Sequence, residues 1–135
     1  FSVRRSHILE CIQGLRAMAP VFEKTGCTHQ AAWSDGERIR FFFEDIGRHN
    51  AVDKIAGAAM LAGRDLSHGV LVTTGRLNSE IAVKALRAGT PVLASRSAVT
   101  SNSVRLAENH GLTLVGFARG GRMNVYSSPE RVIDE

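Results

Sequence analysis

The sequence predicts one α/β domain over residues 1–135, built as three layers with a mixed sheet between helices on both faces. Two observations support this fold class. Short apolar runs alternate with stretches whose apolar residues recur every three or four positions, which is typical of a mostly parallel sheet covered by helices. In addition, the turn signal Asp35-Gly36 joins two early strands into a hairpin, which adds an antiparallel strand.

The first predicted helix begins at a Ser6 cap and carries one apolar stripe from Ile8 to Phe22. Cys11 lies on this stripe, so we expect it to be a buried structural thiol. The pair Thr25-Gly26 ends this helix. The predicted strands that follow span residues 27–34, 39–43, 70–72, 91–94, 112–117 and 123–126. The remaining predicted helices span residues 47–63, 77–88 and 101–109.

Composition narrows the classes of function. Hydrophobic residues make up 44% of the chain and charged residues 22%, which is typical of a globular protein and argues against disorder. The two cysteines, Cys11 and Cys27, form no CxxC motif, which argues against a disulfide scaffold and a four-ligand zinc site. No apolar run reaches the roughly 18 residues of a membrane helix. No secretory signal precedes the first helix, so we expect a cytoplasmic protein without a membrane partner.

The charge of the chain favours anionic partners. The net charge is +4 and the isoelectric point is about 9.7. Such a surface suits a nucleotide or a phosphorylated cofactor, although a solvated basic surface without a partner is the simpler alternative. The basic residues form no single run and the chain has only one Trp and one Tyr, so a nucleic-acid platform is not favoured.

Polar residues cluster at three predicted strand-to-helix junctions, at residues 44–50, 73–76 and 95–101. Because the carboxyl ends of parallel strands share one edge of a sheet, we expect these loops to lie together. Taken singly, each junction also fits an ordinary helix cap, and Glu80 and Lys84 fit a surface ion pair. Taken together, the junctions predict an anion cradle that contains three arginines, Arg48, Arg76 and Arg96.

Metal-dependent and nucleophilic chemistry have weaker support. A zinc deaminase needs H-x-E followed by P-C-x-x-C, whereas His29 is followed by Gln30-Ala31 and no second motif exists. The G-x-S-x-G elbow of a serine hydrolase does not occur. Cys27 has Lys24 and His29 nearby in sequence, which suits a nucleophile, but a free cysteine is more often structural. An independent enzyme that uses Cys27 is therefore kept as a third hypothesis behind the two given below.

Several motifs together resemble one known family. They are Thr25-Gly26-x-x-His29-x-Ala31-Ala32, the stretch Glu44-Asp45-Ile46-Gly47-Arg48-His49-Asn50-Ala51-Val52-Asp53-Lys54, Gly75-Arg76 with Glu80 and Lys84, Leu114-Val115-Gly116-Phe117-Ala118-Arg119, and Asn124-Val125-Tyr126. Over about residues 25–131 the chain resembles the FdhD family of formate dehydrogenase accessory proteins. The resemblance implies a cytidine-deaminase-like fold without the zinc site.

The resemblance also implies a function. Members of the family look like sulfurtransferases, or sulfur carriers, that take sulfur from a cysteine desulfurase as a cysteine persulfide. They pass it to the molybdenum bis(guanine dinucleotide) cofactor, which formate dehydrogenase needs for activity. The family is cytoplasmic and dimeric, which implies a homodimer here. The second hypothesis is a non-catalytic chaperone that binds the cofactor or a nucleotide and delivers it without sulfur chemistry.

The family's cofactor-binding stretch matches one short segment of this chain, Phe117, Ala118, Arg119, Gly120, Gly121 and Arg122. Two glycines let the backbone approach a phosphate or a base, and two arginines neutralise its charge, so GDP-like nucleotides should mimic the cofactor. The residues expected at the same edge are Arg48, His49, Asp53, Gly75, Arg76 and Lys84. The family's CxxC motif and smaller N-terminal domain have no match here. The resemblance is therefore to the C-terminal domain, with no catalytic cysteine assigned.

Overall fold

The structure is a computed structural model that describes residues 1–134. The helices and strands of these residues are, in chain order, β1 (Val3–Arg4), α1 (Arg5–Ala17), α2 (Pro20–Thr25), β2 (His29–Ser34), β3 (Ile39–Asp45), α3 (Arg48–Leu61), β4 (Val70–Thr73), α4 (Ser79–Ala88), β5 (Val92–Ser95), α5 (Ser101–His110), β6 (Thr113–Arg119), β7 (Arg122–Ser127) and β8 (Val132–Ile133).

Strands β2 to β7 form one mixed sheet in the order β3-β2-β4-β5-β6-β7. The central strands β4, β5 and β6 are parallel, and β2 is antiparallel to both β3 and β4. Strand β7 is antiparallel to β6. The mixed sheet predicted from the sequence is therefore confirmed. Because β3 runs in the same direction as β4, the carboxyl ends of β3, β4, β5 and β6 meet at one edge, called here the carboxyl edge.

Alternate residues of the central strands face two separate cores. Leu71, Leu93 and Leu114 pack on the face that is covered by α3, α4 and α5. Val72 and Val115 pack on the opposite face, against α1. This is the two-residue period of a strand, and burial on both faces explains why these strands read as continuous apolar runs. The predicted three layers, with helices on both faces, are confirmed.

The predicted first helix consists of two helices. Helix α1 ends at Ala17, and α2 begins at Pro20. Between them Ala19 has φ −111° and ψ 86°. A proline disfavours helical backbone at the preceding residue and clashes with the carbonyl group four residues earlier, so the apolar stripe cannot continue through it as one helix. The prediction of a Ser6 cap is also wrong, because β1 leads directly into α1 and the N-cap is Arg4.

Side-chain caps and terminal glycines define the later helices. Asn78 and Thr100 accept the N–H three residues ahead, at 3.0 and 3.2 Å, and so begin α4 and α5. Helix α4 consequently begins after the predicted Leu77. Gly89 and Gly111 end these two helices, as predicted, in the left-handed region with φ of 85° and 71°. The short parallel pair of β1 and β8 was not predicted, because two-residue strands leave no periodic signal.

Candidate functional site

The carboxyl edge collects the three polar junctions. Strand β3 leads into α3, β4 into α4, and β5 into α5. Strand β2 begins at this edge, where His29 pairs with Asp45 of β3. The turn between β6 and β7 lies beyond the end of β6 at the same edge. Residues from five separate stretches of the sequence therefore lie along one edge, where they form two groups around opposite ends of the sheet.

The first group surrounds a pocket between α1 and the β6–β7 hairpin. We call it the hairpin pocket, and its volume is about 320 Å³. It is lined by Leu9, Ile12, Gln13, Arg96, Ala118, Arg119, Gly120 and Gly121. Four of the six residues of the predicted cofactor stretch are therefore brought together with an arginine from the β5–α5 junction. The other two, Phe117 and Arg122, lie with Met123 and Asn124 around a second depression, which Arg119 also lines.

The hairpin reaches this position through an unusual backbone at Phe117. This residue has φ 51°, in a region that costs a side-chain-bearing residue roughly 1–2 kcal/mol. Its N–H donates to the Ser97 carbonyl oxygen at 2.9 Å, and the pairing register shifts between Gly116 and Arg119. The Arg119 guanidinium lies 5.5 Å from the centre of the Phe117 ring, which suits a cation–π contact. The bend and this contact together orient the hairpin arginine.

A long-range hydrogen bond attaches the tip of the hairpin to α1. Arg5 Nη2 donates to the Gly121 carbonyl oxygen at 3.0 Å. Arg5 is the first residue of α1, and Leu9, Ile12 and Gln13 follow it along the wall of the hairpin pocket. The bond therefore connects helix α1 to the hairpin, the two elements that form opposite walls of the pocket.

Positive charge accumulates along this part of the edge. Partial burial, followed by the charges of Arg16 and Arg119, holds the pKa of Arg96 below its usual value. Within residues 1–134 none of these three arginines forms an ion pair. No acidic side chain lines the hairpin pocket either. A bound anion would relieve the mutual repulsion of the guanidinium groups, so the pocket has the electrostatics of a phosphate site.

Sequence reasoning missed the contribution of α1. Of the four residues that α1 contributes to this region, the predicted apolar stripe contains only Ile12; Leu9, Gln13 and Arg16 were not singled out. The spacing of apolar residues predicts which side of a helix is buried, but not that its next turns border a loop more than a hundred residues away in sequence. The basic residue in the last turn of α1 is the only local signal, and it is indistinguishable from an ordinary helix C-terminus.

Two carboxylates of the 44–54 stretch have structural partners. Glu44 accepts N–H bonds from Val21 and Phe22, at 3.0 and 2.9 Å, and the Thr28 hydroxyl at 2.6 Å. Burial alone would raise the pKa of Glu44, but these hydrogen bonds outweigh it and hold the pKa below its usual value. Glu44 therefore attaches the start of α2 to β3.

Asp45 fixes the loop that leads into α3. It accepts the Gly47 N–H at 2.9 Å and the Asn50 amide at 3.2 Å, and Lys54 Nζ lies 2.9 Å from its second oxygen. The Gly47 N–H, with the side chains of Lys54 and Asn50, lowers the pKa of Asp45 to about 2. Several polar residues of the 44–54 stretch therefore form the turn that leads into α3 and do not bind a ligand.

The second group of predicted site residues surrounds the start of α3. Arg48 packs across Gly75, where a Cβ atom would lie 2.7 Å from Arg48 Cβ and 2.8 Å from Arg48 Cδ. Gly75 is thus required for a close approach between the β4–α4 junction and α3. His49 is half-buried in the first turn of α3, and Arg76 is exposed on the next junction. Neither of them reaches the hairpin pocket.

Asp53 and Lys84 form an ion pair, with Lys84 Nζ 2.9 Å from Asp53 Oδ2. They line the groove between α3 and α4 together with Met60, Arg64 and Arg87. The structure therefore separates them from the hairpin pocket. The surface ion pair that the sequence suggested between Glu80 and Lys84 is not formed, because Lys84 pairs with Asp53 of the neighbouring helix α3.

The two cysteines differ in environment. Cys11 is buried on α1, as predicted, and burial raises the pKa of its thiol to about 11. Cys27 is exposed, and its Sγ lies 3.1 Å from Thr25 Oγ1. It precedes β2, which begins at His29 and not at residue 27 as predicted. Within the described part of the chain no three His, Cys, Asp or Glu side chains are grouped to hold a metal ion. No helix of residues 1–134 has the length and apolarity to cross a membrane.

Several known proteins are similar to this chain in sequence. The model of the FdhD/NarQ family matches residues 1–133. The chain belongs to the FdhD/NarQ family. It is similar to the sulfur carrier protein FdhD of Xanthomonas euvesicatoria pv. vesicatoria, with 44% identity over 93% of this chain and 45% of that protein. It is 49% identical to the sulfur carrier protein FdhD of Thermoplasma acidophilum, over 87% of this chain and 42% of that protein. The chain thus spans about half the length of these relatives.

Solved structures confirm the fold. A formate dehydrogenase accessory protein from Desulfotalea psychrophila matches with a TM-score of 0.90 and 35% identity, over 98% of this chain and 60% of that one. A guanine deaminase from Nitrosomonas europaea matches with a TM-score of 0.55 and 14% identity, over 85% of this chain and 75% of that one. The second likeness concerns the fold alone, and it confirms the predicted deaminase-like architecture.

Proposed function

We propose that this chain is the cofactor-binding part of a sulfur carrier protein that serves formate dehydrogenase. The substrate is the molybdenum bis(guanine dinucleotide) cofactor, and the hairpin pocket takes one of its guanine nucleotide ends. The proposal rests on one observation. One pocket without an acidic side chain is lined by Arg96, Arg119, Gly120 and Gly121. The names and the 44–49% identity of the relatives support the sulfur carrier role.

The chemistry of the lining suits a nucleotide. The glycine backbone of the hairpin tip lets a phosphate approach closely, and the guanidinium groups offer paired hydrogen bonds to its oxygens. Leu9 and Ile12 provide an apolar wall for a planar base, and the Gln13 amide can both donate and accept hydrogen bonds. A volume of about 320 Å³ lies within the range of small-molecule sites. Arg122, beside the pocket, adds charge for a second phosphate.

The wider setting of the proposal is the one that the resemblance to the family implies. A cysteine desulfurase supplies the sulfur, formate dehydrogenase receives the completed cofactor, and the full protein acts as a homodimer in the cytoplasm. An exposed free thiol at Cys27 is compatible with a reducing compartment.

A second candidate, a chaperone that binds the cofactor without sulfur chemistry, is favoured for this segment by one observation. The Cys11 thiol is buried with a raised pKa, which suppresses the reactive thiolate. Loading the full-length protein with a persulfide donor separates the candidates. Labelled sulfur on a cysteine outside residues 1–135 supports a sulfur carrier, and no labelled cysteine supports the chaperone. Labelled Cys27 would instead support an enzyme that uses this thiol.

A GDP titration tests the pocket. Calorimetry should show saturable binding, and Arg119→Ala and Arg122→Ala should each weaken it by about tenfold or more, because each removes a charged hydrogen-bond partner. Arg38→Ala provides the control, since Arg38 is exposed on the turn at the opposite edge of the sheet. Equal affinities of the Arg119→Ala variant and the control would refute the assignment of the pocket.

A further inference from the structure

The group at the start of α3 contains a set of donors that the hairpin pocket does not use. We call it the α3 corner, and it consists of His29, Arg48, Thr74 and Gly75. His29 is the first residue of β2, Thr74 follows β4, and Arg48 is the first residue of α3. Strands β2 and β4 are neighbours in the sheet, and α3 follows β3, the other neighbour of β2, so the three elements bring these side chains together at the carboxyl edge.

The hydrogen bonds around Thr74 favour one position for the proton of the neutral His29 ring. Thr74 Oγ1 accepts the Gln30 N–H at 3.0 Å, while the Thr74 N–H donates to the Gln30 carbonyl oxygen at 3.1 Å. Within residues 1–134 the acceptor within reach of the Thr74 hydroxyl proton is His29 Nδ1, at 3.1 Å. With the hydroxyl proton of Thr74 in this contact, Nδ1 accepts and the proton of the neutral ring lies on Nε2.

The surroundings of the ring keep it neutral. Burial, followed by the positive charges of Arg48 of α3 and Arg16 of α1, holds the pKa of His29 below its usual value. At neutral pH the ring then provides an Nε2–H donor without adding a further positive charge to a crowded group.

Arg48 is held in place without using up its donors. Its aliphatic part packs across the backbone of Gly75, and its Nε atom is buried with no hydrogen-bond partner within the described residues. A buried unpaired donor on a charged group is costly unless a ligand satisfies it. Helix α3 has 14 residues and no acidic residue in its first turn. Asp45, paired with Lys54, occupies only the Gly47 N–H, so the N–H groups of the first turn itself are also available to an anion.

We propose that the α3 corner binds a phosphate group, which receives hydrogen bonds from Arg48, from His29 Nε2–H and from the first N–H groups of α3. Arg16 adds positive charge from α1. A tetrahedral oxyanion suits this donor set because it accepts hydrogen bonds from several directions at once. None of the four residues of the α3 corner lines the hairpin pocket, although the charge of Arg16 acts on both groups. Phosphate binding at the corner can therefore be measured separately from nucleotide binding in the pocket.

Histidine-selective nitrogen NMR of the whole chain tests the proposal. In the free protein Nδ1 of His29 should be unprotonated at pH 7. Titration with inorganic phosphate should raise the pKa of His29, because a bound anion stabilises the charged ring, and should leave the signals of exposed His68 and His110 unchanged. A protonated Nδ1 in the free protein, or a His29 signal that phosphate does not move, would overturn the proposal.

Variants exclude a merely structural explanation. Arg48→Met should weaken phosphate binding by about tenfold or more, and Arg48→Lys, which keeps the charge but loses the paired donors, should weaken it less. Arg38→Met is the control at the opposite edge. Thermal unfolding shows whether each variant is folded, and if Arg48→Met is not, Arg48→Lys carries the comparison. Unchanged phosphate affinity in the folded variant overturns the proposal.

The same experiment identifies the source of the phosphate. GDP should move the His29 signal as inorganic phosphate does if the group belongs to a nucleotide that extends from the hairpin pocket. In that case Arg119→Ala should weaken the GDP effect but not the effect of inorganic phosphate. If only inorganic phosphate moves His29, the corner takes a separate phosphorylated molecule.

Discussion

Arg5 at the start of α1 donates a hydrogen bond to the carbonyl oxygen of Gly121 at the tip of the β6–β7 hairpin, at 3.0 Å. The two residues lie at nearly opposite ends of the sequence, and their contact joins the walls of the hairpin pocket. Arg5 does not line the pocket itself, so its expected effect on a ligand acts through the position of the hairpin.

Replacing Arg5 with Met should loosen the hairpin. We expect amide hydrogen exchange at residues 118–122 to become faster and the affinity for GDP to fall by about three- to tenfold, since a hydrogen bond from a charged group is lost. Exchange mass spectrometry and calorimetry measure the two effects. Arg38→Met should change neither. Unaltered hairpin exchange in Arg5→Met would show that the bond does not position the tip.

Gly75 and Gly57 should respond in opposite ways to alanine. At Gly75 a Cβ atom would lie 2.7 Å from Arg48 Cβ, so Gly75→Ala should destabilise the fold by about 1–3 kcal/mol. At Gly57, in the middle of α3, a Cβ atom meets nothing within 4 Å. Gly57→Ala should stabilise the fold by roughly 0.5–1 kcal/mol. Urea unfolding measures both, and a neutral Gly75→Ala would contradict the close approach.

The Asp53–Lys84 pair should contribute to structure and not to ligand binding. Both side chains are partly exposed, so a double-mutant cycle with Asp53→Asn and Lys84→Met should give a coupling free energy of about 0.2–1 kcal/mol. The affinity for GDP should stay within about twofold of the parent value, because the pair lies in the α3–α4 groove. A large loss of GDP affinity in Lys84→Met would show that Lys84 belongs to the cofactor site, as first predicted.

The cysteines should differ in reactivity and in their effect at high pH. Iodoacetamide at neutral pH should label exposed Cys27 and leave Cys11 unlabelled until the chain is unfolded, as mass spectrometry would show. The folded state raises the pKa of Cys11 from 9.0 to about 11. The contribution of the Cys11 thiol to the free energy of unfolding is therefore fully present below pH 9 and is lost as the pH rises towards 11. Cys27→Ser should keep this alkaline decline, and labelling of Cys11 in the native protein would contradict its burial.

Most of the fold could be predicted from local patterns. The strands that are buried on both faces read as apolar runs, and the ends of α4 and α5 follow from Gly89 and Gly111. Pro20 itself is a signal for a helix break, but the apolar stripe continues past it and therefore predicted a single helix. The pairing of β1 with β8 left no signal, because it depends on two chain ends meeting in space.

The sequence by itself determined the α/β class and the glycine- and arginine-rich hairpin, because the periodicity of strands and helices and the chemistry of turns are local properties. It also predicted the single carboxyl edge, because strands that alternate with helices pair in parallel. Only the tertiary structure decided which charges share a site. It placed Arg96 beside Arg119 and Arg48 beside His29, and it assigned Lys84 to Asp53. The physical reason is that the interaction of charges depends on distance and burial, which are set by how α1 and the hairpin pack and not by separation along the chain.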